Sequence, residues 1–216
     1  MTRENSGAPR TKVQGSLPEA KSHSANSYLR GIRRLIRDGG DPRKVRSVAS
    51  VFVSRIDTAV DAVLPKGSPL RGKAALANSA AIYERYRDLF FSRKFDDLKE
   101  SGVNVQRVLW GSTGTKNPDY SDIKYVSGLI ARDTVNTLPL KTLEAFLDHG
   151  ESREALTPEN FRSSLEILKE LDKAGVSLEK VCAGLLEEGV TAFVKSYDSL
   201  LTTLDEKISS LCKVKA

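Results

Sequence analysis

The side chains best suited to holding an anion lie between Asn104 and Asp122. Val105, Val108, Leu109 and Trp110 form a short apolar run, β-branched and aromatic, that reads as a strand. It breaks into Gly111-Ser112-Thr113-Gly114-Thr115-Lys116, which offers two glycines for a tight turn with exposed N–H groups, three hydroxyls and one cation. At the C-terminal end of a buried strand, such a loop suits phosphate above all. The nucleotide P-loop pattern needs four residues between its glycines and a hydroxyl after its lysine. Here the glycines are two residues apart and Asn117-Pro118 follows Lys116, which excludes that pattern. On spacing alone, a polar connection that holds no ligand is the other reading, and it stays open.

Other chemistry is sparse. Cys182 and Cys212 fit no metal or redox spacing and read as idle thiols of a reducing compartment. His23 and His149 cannot build a metal site or a catalytic triad with a lone cysteine. His149 instead reads as the C-terminal cap of a helix, where positive charge is favourable.

The elements that must position the loop follow from periodicity. With 39% hydrophobic and 29% charged residues, the 216-residue chain reads as globular. It contains no apolar run near the ~20 residues that a bilayer crossing needs. Residues 1–46 hold eleven Lys and Arg against four Asp and Glu, while the remainder holds twenty-three against twenty-four, so the net +6 belongs to one end. Residues 1–25 read as a disordered polar tail. An organelle transit peptide would suit its Arg and Ser content, but Glu4 and Glu19 argue against one.

Tyr28–Arg37 reads as a basic amphipathic outer helix, with binding of nucleic acid or anionic lipid as the lesser alternative. Residues 45–55 form the strongest strand, apolar or small on both faces as a parallel strand covered on two sides requires. A long helix is expected over 73–91, with Leu76, Ala80, Tyr83 and Tyr86 inward, then a short helix at 92–101. The strand at 105–110 follows, then a helix over 120–131 and a third strand at 134–138. A helix at 140–148 with Leu143, Phe146 and Leu147 inward comes next, then one from Pro158 to about Lys173. Helices at 177–187 and 190–212, broken at Gly189, close the chain. The order is α/β with parallel strands, and the helical end from 150 to 216 reads as an appendage on the outside.

Four ordered blocks carry a resemblance: Ser47-Val-Ala-Ser-Val-Phe-Val-Ser-Arg-Ile-Asp-Thr58, Leu70-Arg-Gly-Lys-Ala74, Arg107-Val-Leu-Trp-Gly-Ser-Thr-Gly-Thr-Lys-Asn-Pro-Asp-Tyr-Ser-Asp122 and Asp133-Thr-Val-Asn-Thr-Leu-Pro139. Over roughly residues 27–205 the chain resembles transaldolases, most closely the branch found in actinobacteria, cyanobacteria and plants. The resemblance implies part of a (β/α)₈ barrel, with these strands the sixth to eighth. It also implies transfer of a dihydroxyacetone unit from a ketose phosphate, sedoheptulose 7-phosphate or fructose 6-phosphate, to an aldose phosphate. A lysine Schiff base serves there as electron sink, without metal or diffusible cofactor.

Carried over position by position, the resemblance implies that Arg55 grips phosphate with its forked guanidinium. Ser112 contacts phosphate from the next strand and Lys116 adds charge at the loop's end, while Ser50 and Phe52 line the site. For Ser50 and Phe52 the other reading is plain barrel core, and for Arg55 it is an ion pair with Asp57 or Asp61. No lysine here matches the family's nucleophile, so residues 26–216 correspond to the C-terminal part of such a barrel, an incomplete TIM barrel of about three strands that carries the phosphate side alone. Such a piece leaves two strand edges and an apolar inner face open. It is expected to be marginal and association-prone, pairing with a complementing chain or with itself. The expected partners are sugar phosphates, with no nucleic acid and no membrane, in the cytoplasm or alternatively a plastid. A non-catalytic sugar-phosphate or interaction module is the alternative function.

Overall fold

A computed structural model describes residues Pro18–Lys213. Three strands, β1 (Ser47–Phe52), β2 (Gln106–Gly111) and β3 (Thr134–Asn136), lie side by side in that order. Both pairings are parallel, with Ser50 opposite Leu109 and Leu109 opposite Val135. Period-two alternation gives the sheet two unlike faces. Val51, Val108 and Trp110 are buried on the helix-covered side. Val48, Ser50, Phe52 and Arg107 are exposed on the other. β1 is therefore covered on one side rather than the two its composition suggests, because no further strand among the described residues closes over the second face.

The strand expected at 45–55 is shorter than that. Val53 donates its N–H to Gly111 O, Ser54 donates to Ser112 O, and the backbone of Val53 has already turned to helical angles. Helix α2 (Ser54–Val63) therefore starts directly from the strand end. Arg55 stands in its first turn instead of on the strand.

Helix α1 (Pro18–Arg37) begins eight residues before the boundary drawn at residue 26, with proline at its first position, where a missing N–H costs nothing. Its buried Ala25 and Ile32 explain why the helix extends back into the polar segment. Residues 1–17 of the expected tail lie outside the described residues. After a 3₁₀ turn at Pro42–Lys44 and β1, the chain forms α3 (Ala74–Phe90), which packs against both α1 and α7 (Pro158–Lys173). Its inward stripe carries Ala80, Tyr83 and Tyr86 as expected and Phe90 in addition, with Leu76 half-buried. The rings of Tyr86 and Phe90 sit 5.2 Å apart, and Tyr83 meets Phe161 of α7 at 6.2 Å. Each such burial is worth about 1.5–3 kcal/mol. Leu156, Phe161 and Leu171 belong to this same core, so the segment from 150 onward is no appendage through α7.

Short elements complete the frame: a 3₁₀ turn and α4 (Asp96–Glu100), then α5 (Lys124–Ser127) and α6 (Leu140–His149). The helix expected over 120–131 shrinks to the single turn of α5. Thr115 Oγ1 donates to Ser121 O and Tyr120 Oη to Asp61 Oδ2, which hold residues 115–122 as a loop. On α6 the expected inward residues Leu143 and Leu147 are exposed, and Thr142 is the buried one. Thr157 caps α7, accepting from Asn160 N, and Gly175 at φ +79° stops it. The two helices expected at the end are one, α8 (Leu178–Lys213). Gly189 passes through without a break, since a glycine weakens a helix interior by only about 1 kcal/mol.

Candidate phosphate site

At the C-terminal edge of the sheet, the turn from β1 into α2 and the loop after β2 are stitched together. Beside the two backbone bonds given above, Ser54 Oγ and Ser112 Oγ share a hydrogen bond of 2.9 Å. One hydroxyl of such a pair donates to the other, which leaves the second O–H free to donate outward. Ser112 holds φ +56°, an uncommon conformation for a residue with a Cβ. Arg55 is exposed, and its guanidinium carbon lies 5.2 Å from the centroid of the Phe52 ring. That cation–π contact aims the side chain along the open face of the sheet. Among the described residues Arg55 forms no ion pair with Asp57 or Asp61. The first turn of α2 adds its partial positive charge. Arg55, Ser112 and the α2 N-terminus thus share one rim, with Ser50 and Phe52 on the exposed face below.

The rest of the glycine-rich loop does other work. Thr113 is buried and donates to Asn136 Oδ1 at 2.8 Å, tying the loop to β3. Thr115 closes the loop on Ser121. A Cβ on Gly114 would stand 3.1 Å from Pro139 Cγ, so this glycine allows close approach to the start of α6. Of the three hydroxyls counted from sequence, Ser112 is the one that can turn its O–H to a ligand, in the arrangement where Ser54 donates to it. Lys116 is exposed and lines an adjoining cleft of about 330 Å³ with Ser54, Asp57, Thr58, Asp61, Arg71 and Tyr120. That cleft includes neither Arg55 nor Ser112, so Lys116 faces the other flank of α2.

On this flank lies a polar network that the sequence did not disclose. Asp57 is buried and accepts three hydrogen bonds: from Ala75 N at 2.7 Å, and from Lys124 Nζ and Tyr125 Oη at 2.9 Å each. One turn on, Asp61 accepts from Gly72 N at 2.8 Å and from Tyr120 Oη at 2.6 Å. Lys124 also donates to Gly72 O and lies over the Tyr120 ring, 3.8 Å from its centroid. Arg71 donates to the carbonyls of Asp61 and Leu64. Burial and the bond to Asp61 push the Tyr120 phenol up to about 12, and burial beside Asp57 raises that of Tyr125. Both tyrosines therefore stay neutral donors. The network clamps α2, the Leu70–Ala74 turn and α5 into one block, which fixes where Arg55 projects. Carboxylates four residues apart on a helix whose intervening Val60 is buried were the available signal.

Among the described residues no three His, Cys, Asp or Glu side chains gather as metal ligands. Burial pushes the Cys182 thiol up to about 11, away from reactivity, and the Cys212 side chain lies outside the description.

Parallel strands in chain order, joined by helices packed on one face of the sheet, are the arrangement of an α/β barrel. The family model for transaldolase/fructose-6-phosphate aldolase matches residues 20–204, and the chain belongs to this family. It is similar to the transaldolase of Mycolicibacterium smegmatis, at 45% identity over 193 residues, covering 87% of this chain and 52% of that protein. The transaldolase of Saccharopolyspora erythraea is 42% identical over 186 residues (85% and 51% covered), and that of Thiobacillus denitrificans 42% over 184 (83% and 51%). The chain spans about half the length of these curated relatives. With three parallel strands it forms a partial (β/α)₈ barrel.

Proposed function

We propose that this chain supplies the phosphate-gripping side of a transaldolase-type active site. Arg55 and Ser112 hold the phosphate of the sugar, Lys116 on the other flank of α2 takes no part in it, and Ser50 and Phe52 face the carbon chain. The reaction is transfer of a dihydroxyacetone unit between sugar phosphates through a lysine Schiff base. The residues here match the family's phosphate side and not its nucleophile, so the reactive amine is assigned to sequence beyond these 216 residues. The observation that carries the reading is the double tie between Ser54 and Ser112, which joins the Arg55 turn to the Ser112 loop across adjacent parallel strands. The half-length match to the relatives and the exposed face at Val48 and Phe52 support assigning the rest of the site elsewhere.

Calorimetric titration with fructose 6-phosphate tests the rim. Arg55→Ala removes a charge-assisted bidentate contact worth about 1.5–3 kcal/mol, a 10- to 150-fold loss of affinity. Unchanged affinity in that variant refutes the site. Borohydride trapping with the same sugar separates the readings of activity. Mass added irreversibly at a lysine of this chain shows that Schiff-base chemistry resides here, whereas binding without trapping fits the phosphate side or a non-catalytic sugar-phosphate module.

A further inference from the structure

Ser54 and Ser112 share one hydrogen bond but not one environment. Ser54 is 2% exposed, whereas Ser112 is only half-buried. The Ser54 N–H donates to Ser112 O at 3.0 Å, and the Ser54 carbonyl accepts from Thr58 Oγ1 at 3.1 Å. Among the described residues the Ser54 hydroxyl has a single partner, Ser112 Oγ at 2.9 Å.

That asymmetry decides which hydroxyl donates. A hydroxyl shut away from water whose proton finds no acceptor carries the full cost of desolvation. If Ser112 donated, the Ser54 proton would be stranded in that way. With Ser54 as donor its proton is bonded, and Ser112 turns its own O–H toward the open side. An oxygen that accepts one hydrogen bond is a stronger donor and a poorer acceptor for a second proton. Arg55 beside it has donors only. A rim of donors suits a phosphate oxygen without a proton, and it offers little to the P–OH of a protonated one.

We infer that Ser54 is a positioning residue: it donates to Ser112, commits the Ser112 hydroxyl to donating in turn, and so biases the rim toward the dianion of a phosphomonoester over its monoanion. This role rests on the reading of Arg55 and Ser112 as the phosphate rim. The ionisable groups on the elements beside the pair are Arg55, Asp57 with Lys124, Lys116, and His149 with Asp122. His149 carries an imidazole, the group that ordinarily changes charge between pH 5 and 8, so its influence is read separately with a ligand that does not itself titrate.

Calorimetric titration of the full chain with fructose 6-phosphate at pH 7.5 and pH 5 makes the test. A phosphomonoester has its second pKa at about 6, so the ligand passes from dianion to monoanion over this range. At pH 7.5, Ser54→Ala is expected to bind about 3- to 10-fold more weakly than the unaltered chain, the worth of one modest hydrogen bond. At pH 5 the two are expected to agree within about twofold. Sulfate, dianionic at both values, is expected to show the same Ser54→Ala loss at each. In a Ser112→Ala background, Ser54→Ala is expected to cost nothing further. Ser54→Cys, similar in size and a weak donor, is the second variant should Ser54→Ala lose its circular dichroism, and it is expected to follow the same pattern.

A loss of equal size at both pH values for fructose 6-phosphate, or one that persists without Ser112, marks a merely structural residue and overturns the inference. Unchanged affinity at pH 7.5 overturns it as well, and a sulfate loss that varies with pH assigns the effect to the protein's own titration instead. Arg55→Ala measured in parallel separates the two readings. Binding indifferent to Arg55→Ala sinks the rim and the Ser54 role with it, whereas Arg55-dependent binding with a pH-independent Ser54→Ala loss sinks the Ser54 role alone.

Discussion

Asp57 shows how much of this site is built by one buried carboxylate. It is almost wholly excluded from water and survives there because a backbone amide, an ammonium and a phenol all donate to it. Replacing a single partner of such a buried pair leaves a charge without compensation, at about 3–5 kcal/mol. Asp57→Ala is therefore expected to lower the urea midpoint by that equivalent, and Lys124→Met, which strands Asp57, to behave similarly. The double variant should lose much less than the sum, because neither charge is then left alone. A strictly additive double variant would show the two groups to be uncoupled. By contrast, Arg55→Ala should leave the urea midpoint within about 0.5 kcal/mol, since the side chain is exposed and, among the described residues, rests on the Phe52 ring alone. On the proposed reading, binding rests on Arg55 and stability on Asp57 two residues on, and the two face opposite flanks of α2.

At the scale of elements, the turn before α3 and the end of α6 each make a prediction. Gly72 has φ +69°, and a Cβ there would stand 2.6 Å from Tyr120 Cζ and 2.8 Å from Lys124 Nζ. Gly67, at φ +86°, has open space around it. Gly67→Ala should cost about 1 kcal/mol for backbone conformation alone. Gly72→Ala should cost clearly more, because it also drives apart the block that orients α2. Thermal melts of the two variants, run side by side, check the order. On α6, His149 bonds Asp148 at 3.1 Å and Asp122 at 3.0 Å through its two ring nitrogens, and these partners raise its pKa above the ordinary imidazole value. A raised folded-state pKa means a stabilisation fully present below the ordinary value and lost as pH rises through the folded one. The chain should lose a small increment of stability over that window, and His149→Gln should abolish the increment. The group is solvent-exposed, so added salt should weaken the effect.

For the whole molecule, the balance of covered and uncovered surface sets behaviour. One face of the sheet and the core of α1, α3 and α7 are well packed, while the opposite face, the outward side of α6 and most of α8 expose large apolar residues. Purified alone, the chain should self-associate in a concentration-dependent way and melt broadly, and binding the complementary half-barrel should sharpen the transition and raise its midpoint. A sharp monomeric transition in isolation would count against this.

Local chemistry along the chain determined that β1 to β3 are parallel strands, that Tyr83 and Tyr86 point inward, and that Arg55 and Ser112 sit near strand ends, because period and residue type are written in neighbouring positions. The sequence could not reveal that Arg55 rides on a helix turn, that Thr113 and Thr115 are consumed by structural bonds, or that Lys116 faces the far flank of α2. Nor did it show that Asp57 meets Lys124 and Tyr125, sixty-seven and sixty-eight residues away. Those outcomes depend on which groups the folded sheet brings within 3 Å of one another. A hydrogen bond has a direction and a reach that a hydrophobic period does not encode, so only the tertiary structure decides it.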